Sequence, residues 1–506
     1  MELMNQLTYA AGELFTLGVF WAIFLGVLCG LIAGALPGIG GAAALAILFP
    51  LTYAMTVNQG MLFMLGVYTG AEYGGAIPAI LICVPGTGAA VATTLDGYPL
   101  AQKGYPRKAL TIALAASVFG SFLGAFIFAL CSPLLTTVGL KFGPVEMFAV
   151  GVFGVSVISS VVGKSVAKGF FAAAIGIFLS TVGPSDFAGY RFTYGLMTLA
   201  DGFPLVIMFM GFFALVEALK TIVQSCGTET AKEAGAVRQK DDFLKVREFF
   251  GMYKSILRCS TIGVIIGILP GMGSGVASFL AYAEERRWSK QPDAFGTGVP
   301  EGIVASEAAN NSMVAGSIVP ALTLGVPGSP AAALIMGFLI MKGVTPGPML
   351  FQDSPWLLFF LFIGLMIITG VLFIMGYAGL KPFSLIANIP LTIIGPATCL
   401  LIFTGVYSYQ GQISDLSLVL LIGVVAYLFE RLRIPTVPLV LAFIMGPIME
   451  YYFNQAILIY RGDMGAFFSS PIFVVIILLS LLSAGFGLFR ELRAGKKSVT
   501  ESPDNS

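Results

Sequence analysis

The chain contains no histidine among its 506 residues, and its six cysteines show no pair at metal-ligand spacing. The absence of histidine removes the commonest zinc ligand, the imidazole general base and any histidine proton relay. A bound cation would have to be held by carboxylates, hydroxyls, amides or backbone carbonyls. The sequence therefore gives no support to a zinc enzyme or to histidine-based proton transfer.

Charged residues are also scarce. They make up 10% of the chain, against about 25% in soluble domains, and 57% of the residues are hydrophobic. The mean hydropathy is +0.93, and apolar runs recur from residue 15 to residue 489. At ~20 residues per crossing this predicts an all-α polytopic membrane protein with roughly 11–13 membrane segments in the lipid bilayer, some broken or re-entrant. The formal net charge of +1 argues against a nucleic-acid partner.

The few charges are unevenly distributed. Basic residues concentrate in a polar stretch between the two apolar halves and again at the C-terminus. The positive-inside rule predicts that both are cytoplasmic. The predicted organisation is a first membrane repeat at 1–224, a cytoplasmic linker at 225–253, a second membrane repeat at 254–490 and a cytoplasmic tail at 491–506.

The two halves repeat one pattern of Pro-Gly breaks. Residues 34–40 and 77–88 recur as residues 267–273 and 319–330. Pro-Gly pairs interrupt helices, and paired interruptions in two halves of a membrane protein indicate a substrate site at the interface of the repeats. The first 14 residues carry no cationic side chain, which favours an outside N-terminus. With a cytoplasmic linker, the halves are then predicted to be inverted repeats.

The second break of each half starts a new helix with unpaired amides, which suit a carboxylate or a phosphate. Two amide side chains in the second half could bind the same groups without charge. The ordinary alternative is that Pro and Gly only kink membrane helices, but their duplication favours a functional site. The candidate substrate-binding residues are Pro85, Gly86, Thr87, Gly88, Asn310, Asn311, Pro327, Gly328 and Ser329.

The first break of each half leaves helix carbonyls free, which suit a cation such as Na⁺. Glu72 adds a carboxylate inside an otherwise apolar segment, where ionisable groups are costly. Its ordinary alternative is a structural carboxylate hydrogen-bonded to nearby hydroxyls. The candidate ion-binding residues are Gly38, Gly40, Glu72, Gly271 and Gly273.

Other segments are predicted to play supporting parts. The uniformly apolar segments 109–135, 147–162 and 204–223 read as scaffold. Asp96 is followed by basic residues and is predicted to lie at a membrane surface. The many small residues are compatible with a homo-oligomer, since they permit close helix contact.

The run from Pro300 to Asn311, continued by Val319 to Ser329, resembles the large membrane subunit of the tripartite tricarboxylate transporter family, TctA type. The resemblance implies a multi-pass permease of the bacterial inner membrane. Its partners would be a small membrane subunit of about four helices and a periplasmic solute-binding protein. The implied substrates are tricarboxylates such as citrate, or related carboxylates.

Uptake in such a system is driven by an ion gradient, with Na⁺ as the expected coupling ion and no other cofactor. We therefore expect a secondary active transporter, an ion-coupled symporter working by alternating access, and no ATP-binding motif occurs in the chain. Three alternatives remain. They are a permease of the same architecture for another organic anion with H⁺ coupling, a passive channel, and an intramembrane enzyme, for which the chain lacks clustered metal ligands.

Overall fold

The computed structural model describes residues 2–162, 165–185, 189–196, 199–227, 244–386 and 389–500. Most of the linker prediction falls on residues 228–243, outside the described residues. The last six residues of the predicted cytoplasmic tail also lie outside them. The predicted domain boundaries stay predictions.

The described part of the first half consists of helices and one short hairpin. Its helices are α1 (Glu2–Leu14), α2 (Leu17–Ala35), α3 (Gly41–Leu48), α4 (Val57–Gly74), α5 (Ala76–Ile82), α6 (Ala90–Gln102), α7 (Pro106–Gly139), α8 (Pro144–Val161), α9 (Val166–Ser180), α10 (Leu205–Phe209) and α11 (Val216–Gly227). A 3-10 turn, Phe49–Ala54, follows α3, and a π-helical segment, Met210–Leu215, joins α10 to α11. The hairpin pairs β1 (Gly183–Ser185) with β2 (Gly189–Arg191) in antiparallel register.

The described part of the second half is helical. Its helices are α12 (Val246–Gly251), α13 (Tyr253–Ile268), α14 (Gly273–Trp288), α15 (Pro300–Thr323), α16 (Pro330–Met341), α17 (Leu350–Asp353), α18 (Trp356–Ala378), α19 (Leu380–Ile386), α20 (Leu391–Gln410), α21 (Ile413–Arg431), α22 (Thr436–Ile459) and α23 (Pro471–Thr500). Among the described residues, nine helices are long and apolar enough to cross a membrane, and three shorter apolar helices accompany them. The predicted fold class, an all-α polytopic membrane protein, is confirmed.

The duplication seen in the sequence recurs in the packing of two helix pairs. α2 packs along α4, and α13 packs along α15. A side chain at Gly30 of α2 would collide with the Val67 carbonyl oxygen, and one at Gly263 of α13 would collide with that of Ala309. Gly263 lies 233 positions after Gly30 and Ala309 lies 242 after Val67, the same offsets that relate the Pro-Gly breaks. Glycine is required here because the backbones of both pairs touch.

Helix α15 lies at the centre of the fold. Every residue from Gly302 to Thr323 is buried, and α15 packs against α7, α13 and α14. Its alanine, serine and glycine residues allow this approach, and its neighbours match them. A side chain at Gly120 of α7 would collide with the Ala308 carbonyl oxygen. Small residues on both sides of the contact therefore place α15 within reach of both halves.

Asp96 connects the halves at the start of α15. Its Oδ1 accepts hydrogen bonds from the backbone N–H groups of Gly296 (3.0 Å), Gly298 (2.7 Å) and Val299 (2.8 Å), and Oδ2 accepts one from the Tyr282 hydroxyl (2.7 Å). The side chain is fully buried. The sequence predicted only a surface position, whereas the structure makes Asp96 the acceptor that fixes the loop preceding α15.

A bidentate ion pair attaches the hairpin to α22. Arg191 Nη1 and Nη2 each lie 2.8 Å from a Glu450 carboxylate oxygen, and the Ser185 hydroxyl donates to Glu450 at 3.1 Å. The planar guanidinium matches the carboxylate, so this pair has a defined geometry. It positions the hairpin against the membrane helices.

Replacing Asp96 by alanine is expected to lower the stability of the protein. Asp96→Ala leaves three backbone N–H groups without their acceptor, and losing such a cap costs about 0.5–2 kcal/mol. Asp96→Asn is the matched control, because its amide oxygen can still accept from the loop. The measurement is thermal unfolding of the detergent-purified protein. Equal midpoints for Asp96→Ala and the wild type would contradict the capping role.

Candidate functional site

The first Val-Pro-Gly tip is held against the backbone of two neighbouring helices. α5 ends at Ile82, and the next residue, Cys83, has a φ of 58° that turns the chain out of the helix. Gly86 then donates its N–H to the Gly75 carbonyl oxygen at 3.1 Å. A Cβ at Gly86 would collide with the Gly34 carbonyl oxygen and lie 2.8 Å from the Gly75 Cα. Only glycine fits this position.

The second tip repeats this arrangement with equivalent residues. Gly328 donates its N–H to the Ser317 carbonyl oxygen at 3.3 Å. A Cβ at Gly328 would collide with the Gly267 carbonyl oxygen and lie 2.9 Å from the Ser317 Cα. The Gly328 carbonyl oxygen in turn accepts a hydrogen bond from the Gly271 N–H at 3.1 Å. The second tip is thus tied directly to the second Pro-Gly-x-Gly break.

Both tips and both breaks meet at one cavity of about 430 Å³. Thr87 and Gly88 of the first tip and Ser329 of the second tip line it. So do Gly40 and Gly273 from the two breaks. The two tips and the two breaks, which lie far apart in the sequence, therefore line one cavity.

Four helix N-termini point their first residues at this cavity. The first residues of α3, α14, α16 and α22 are Gly41, Gly273, Pro330 and Thr436, and each lines the cavity. The Ser329 hydroxyl caps α16 by accepting the Ala332 N–H at 3.0 Å. Helix N-termini carry partial positive charge and free N–H donors, so this part of the wall favours an anion.

Glu72 of α4 is the buried carboxylate of this wall. Its side chain is 3% exposed and lines the cavity. The Ser274 hydroxyl donates to Oε1 at 3.3 Å, and a Cβ at Gly41 would lie 2.8 Å from the same oxygen. Oε2 has no hydrogen-bond partner among the described residues. A buried carboxylate oxygen without a donor is suited to a proton or a cation.

One turn earlier on α4, Tyr68 reaches the second tip. Its hydroxyl shares a hydrogen bond of 3.1 Å with the Ser329 hydroxyl and lies 3.5 Å from the Met313 sulfur. Tyr68 also lines the cavity. Helix α4 of the first half therefore contacts the tip of the second half at the cavity wall.

Asn310 and Asn311 lie in the contact between α15 and α4. Asn310 Nδ2 donates to the Glu72 carbonyl oxygen at 3.1 Å. Asn311 Nδ2 donates to the Thr69 carbonyl oxygen and to the Ser121 hydroxyl, both at 3.3 Å. The side chains of both are completely buried. The structure places them behind the lining, where they position α4 and hence Glu72.

The remaining predicted residues form the turns of the breaks. Gly38 and Gly271 have φ values of 86° and 76°, in the left-handed region that favours glycine. Pro85 and Pro327 lie between each helix end and the tip glycine. These four shape the backbone, whereas Gly40 and Gly273 of the predicted ion-binding set contact the cavity.

Sequence reasoning missed one wall of the cavity. Phe212 and Phe213 of the π-helical segment, Glu217 of α11 and Glu430 of α21 all line it. The sequence assigned 204–223 to the scaffold because it is almost uniformly apolar. The signal that could have been used is Glu217, a carboxylate inside an apolar run with Lys220 one turn later.

Glu307 is another buried carboxyl group, and its role differs from that of Glu72. Its Oε1 accepts from the Thr93 hydroxyl at 2.5 Å, and its Oε2 accepts from the Ser117 hydroxyl at 2.9 Å. Each oxygen thus has a donor, on α6 and α7 respectively. Glu307 joins three helices and, unlike Glu72, has both oxygens satisfied by protein groups.

Alanine at either tip glycine is expected to destabilise the protein. Gly86→Ala and Gly328→Ala drive a methyl group into a backbone carbonyl that cannot move aside, and overpacking of this kind costs about 1–3 kcal/mol. The matched control is Gly370→Ala in α18, where a Cβ meets no atom within 4 Å. The measurement is thermal unfolding in detergent. A tip variant as stable as Gly370→Ala would show that the tips are not seated in this way.

Comparison with known proteins identifies one relative that matches over the whole chain and another that matches over about half of it. An "Uncharacterized 52.8 kDa protein in TAR-I ttuC' 3'region" of Agrobacterium vitis is 33% identical over 506 residues, covering 100% of both chains. An "Uncharacterized protein in TAR-II ttuC' 3'region" of the same organism is 32% identical over 242 residues, which are 48% of this chain and 100% of that relative. No solved structure matches the chain.

The family comparison covers both tips, both breaks and the cavity. Residues 20–441 match the family described as "Tripartite tricarboxylate transporter TctA family". This range includes Glu72 and every other residue that lines the cavity. The resemblance noted in the sequence is confirmed. The chain belongs to the tripartite tricarboxylate transporter TctA family, a family of transporters, and is a multi-pass membrane protein.

Proposed function

We propose that the chain is the large permease subunit of an ion-coupled, binding-protein-dependent importer of tricarboxylates such as citrate, or of related carboxylates. The observation that carries this proposal is the convergence of four helix N-termini from both halves on one cavity. A carboxylate accepts hydrogen bonds only, and helix N-termini offer only donors. Membership of the family supports the same substrate class.

Glu72 supplies the reason for ion coupling. A substrate carboxylate close to the buried Glu72 carboxylate is repelled unless a cation or a proton neutralises one of them. Oε2 of Glu72 and the Ser274 hydroxyl are oxygen ligands of the kind that Na⁺ prefers, and they lie at the cavity wall. Occupation of the cavity by the anion then requires Na⁺, and this requirement couples the two. Protonation of Glu72 is the alternative, for a related organic anion with H⁺ coupling.

The placement of the tips supports alternating access as the transport mechanism. Thr87 and Ser329 line the cavity, yet each tip is seated on backbone groups of its own half through a single glycine. A relative displacement of the halves would carry one seated tip past the other without unfolding either. The small membrane subunit, the periplasmic solute-binding protein and a location in the bacterial inner membrane are proposed on the basis of the family.

Uptake of labelled citrate tests this function. Cells express the chain with its small subunit and its binding protein, and accumulation is measured with and without Na⁺. We expect accumulation above the external concentration that depends on Na⁺. Equilibration without accumulation would indicate a channel, and accumulation driven by pH alone would indicate H⁺ coupling. Absence of uptake for citrate and for smaller di- and tricarboxylates would contradict the proposal.

Neutralising Glu72 is expected to abolish the sodium dependence of uptake. Glu72→Gln keeps the shape and the oxygen that accepts from Ser274, but it removes the charge that holds the cation, so Na⁺-stimulated uptake should fall by about tenfold or more. The matched control is Glu284→Gln on α14, whose carboxylate pairs with the exposed Arg287. Unchanged sodium stimulation in Glu72→Gln would exclude Glu72 as the coupling site.

A further inference from the structure

An ion-paired cluster lies at the exposed end of the cavity. The Lys220 ammonium is 3.0 Å from a Glu217 carboxylate oxygen and 2.8 Å from one of Glu430. The pairs connect α11 to the end of α21, and both carboxylates line the cavity. The side chains of Glu217 and Glu430 are 30% and 45% exposed, whereas Glu72 is 3% exposed. We call Glu217, Lys220 and Glu430 the mouth triad.

The mouth triad lies at the end of the molecule that carries the start of the linker and the C-terminal helix. α11 ends at Gly227, directly before the basic stretch of the linker. Lys168 Nζ donates to the Leu432 carbonyl oxygen at 2.6 Å in the turn after α21, and Val166 N–H donates to the Glu491 carboxylate of α23 at 2.9 Å. The positive-inside rule assigns this end to the cytoplasm.

The charges of the mouth triad bear on any anion that leaves the cavity at this end. Two carboxylates on the wall repel an anion, and Lys220, which does not itself line the cavity, is the cation that pairs with both of them. Ion pairs that are partly exposed are weak, so Lys220 can change partners at little cost. The π-helical segment Met210–Leu215 directly precedes α11, and such segments often mark functional sites within helices.

We propose that Lys220 binds a carboxylate group of the substrate at the cytoplasmic mouth, in exchange for Glu217 and Glu430. The glutamates compete with the substrate for one ammonium group, so they set how weakly the substrate is held before release. This exchange breaks and forms only ion pairs and hydrogen bonds, and no covalent bond changes. This proposal rests on the proposed function, because it requires a carboxylate substrate in the cavity.

Equilibrium binding of labelled citrate, tricarballylate and succinate to the detergent-purified full chain in Na⁺ tests it. Lys220→Gln is expected to raise the Kd about tenfold, the effect of losing one charge-assisted hydrogen bond. The double variant Glu217→Gln/Glu430→Gln is expected to lower the Kd about tenfold, because Lys220 no longer has competing carboxylates. Lys168→Gln, a lysine at the same end that donates to the Leu432 carbonyl oxygen and not to a cavity-lining carboxylate, is the matched control with an unchanged Kd.

The two variants are expected to change the Kd in opposite directions, and this distinguishes substrate binding by Lys220 from a purely structural role. A triad that only joins α11 to α21 would lower the thermal stability of both variants and move both Kd values in the same direction or not at all. Either result in a wild type that binds these anions overturns the proposal for Lys220 and leaves the proposed function intact. A folded wild type that binds none of the three contradicts the proposed function, and the Lys220 proposal with it. Thermal unfolding of each variant identifies any that fails to fold.

Discussion

The interior of a membrane offers no water to the backbone groups that a broken helix releases, and the fold depends on how the two tips meet this constraint. Each tip places a glycine against the backbone of its own half, with its N–H paired to a carbonyl group of the helix that leads to the tip. The carbonyl oxygens of Gly34 and Gly267 lie against the two tip glycines, where a Cβ on the tip would collide with them. The broken helices thereby become fixed parts of the wall; α16, after the second tip, begins at the cavity, whereas α6, after the first tip, begins at Ala90, which does not line it.

The electrostatics of the cavity follow from this placement. Backbone N–H groups supply the positive potential that an arginine would supply at a water-exposed site, and they do so without a flexible side chain. Glu72 opposes that potential from within the same wall. When an anion binds beside a buried carboxylate, the two negative charges need a cation or a proton to balance them. In the function we propose, the Glu72 carboxylate therefore couples the two ligands without a separate ion site.

The sequence predicted those parts of the site that arise from local chemistry. Pro-Gly pairs break helices wherever they occur, so the tips, the breaks and the membrane fold could be predicted from patterns of a few residues. The wall formed by Phe212 and Glu430 could not be predicted, because it depends on which distant helices pack beside the tips. Asp96 shows the same limit: its acidic side chain was evident, but the loop that it caps lies 200 residues later in the chain. Contacts between segments that lie far apart in the sequence therefore could not be predicted from these local patterns.

The cavity wall is not symmetric, because equivalent positions of the two duplicated halves carry different residues. The offset of 242 that relates the tips places Val314 at the position equivalent to Glu72, and Leu65 at the position equivalent to Glu307. The equivalent helices α4 and α15 therefore each contain one buried carboxyl group, but on different turns. Of these two carboxyl groups, Glu72 faces the cavity with an oxygen that has no partner among the described residues, while both oxygens of Glu307 accept hydrogen bonds from neighbouring helices. The two similar halves therefore contribute unequally to the wall: α4 places a deeply buried carboxylate at the cavity, whereas the buried carboxylate of α15 is used in helix packing.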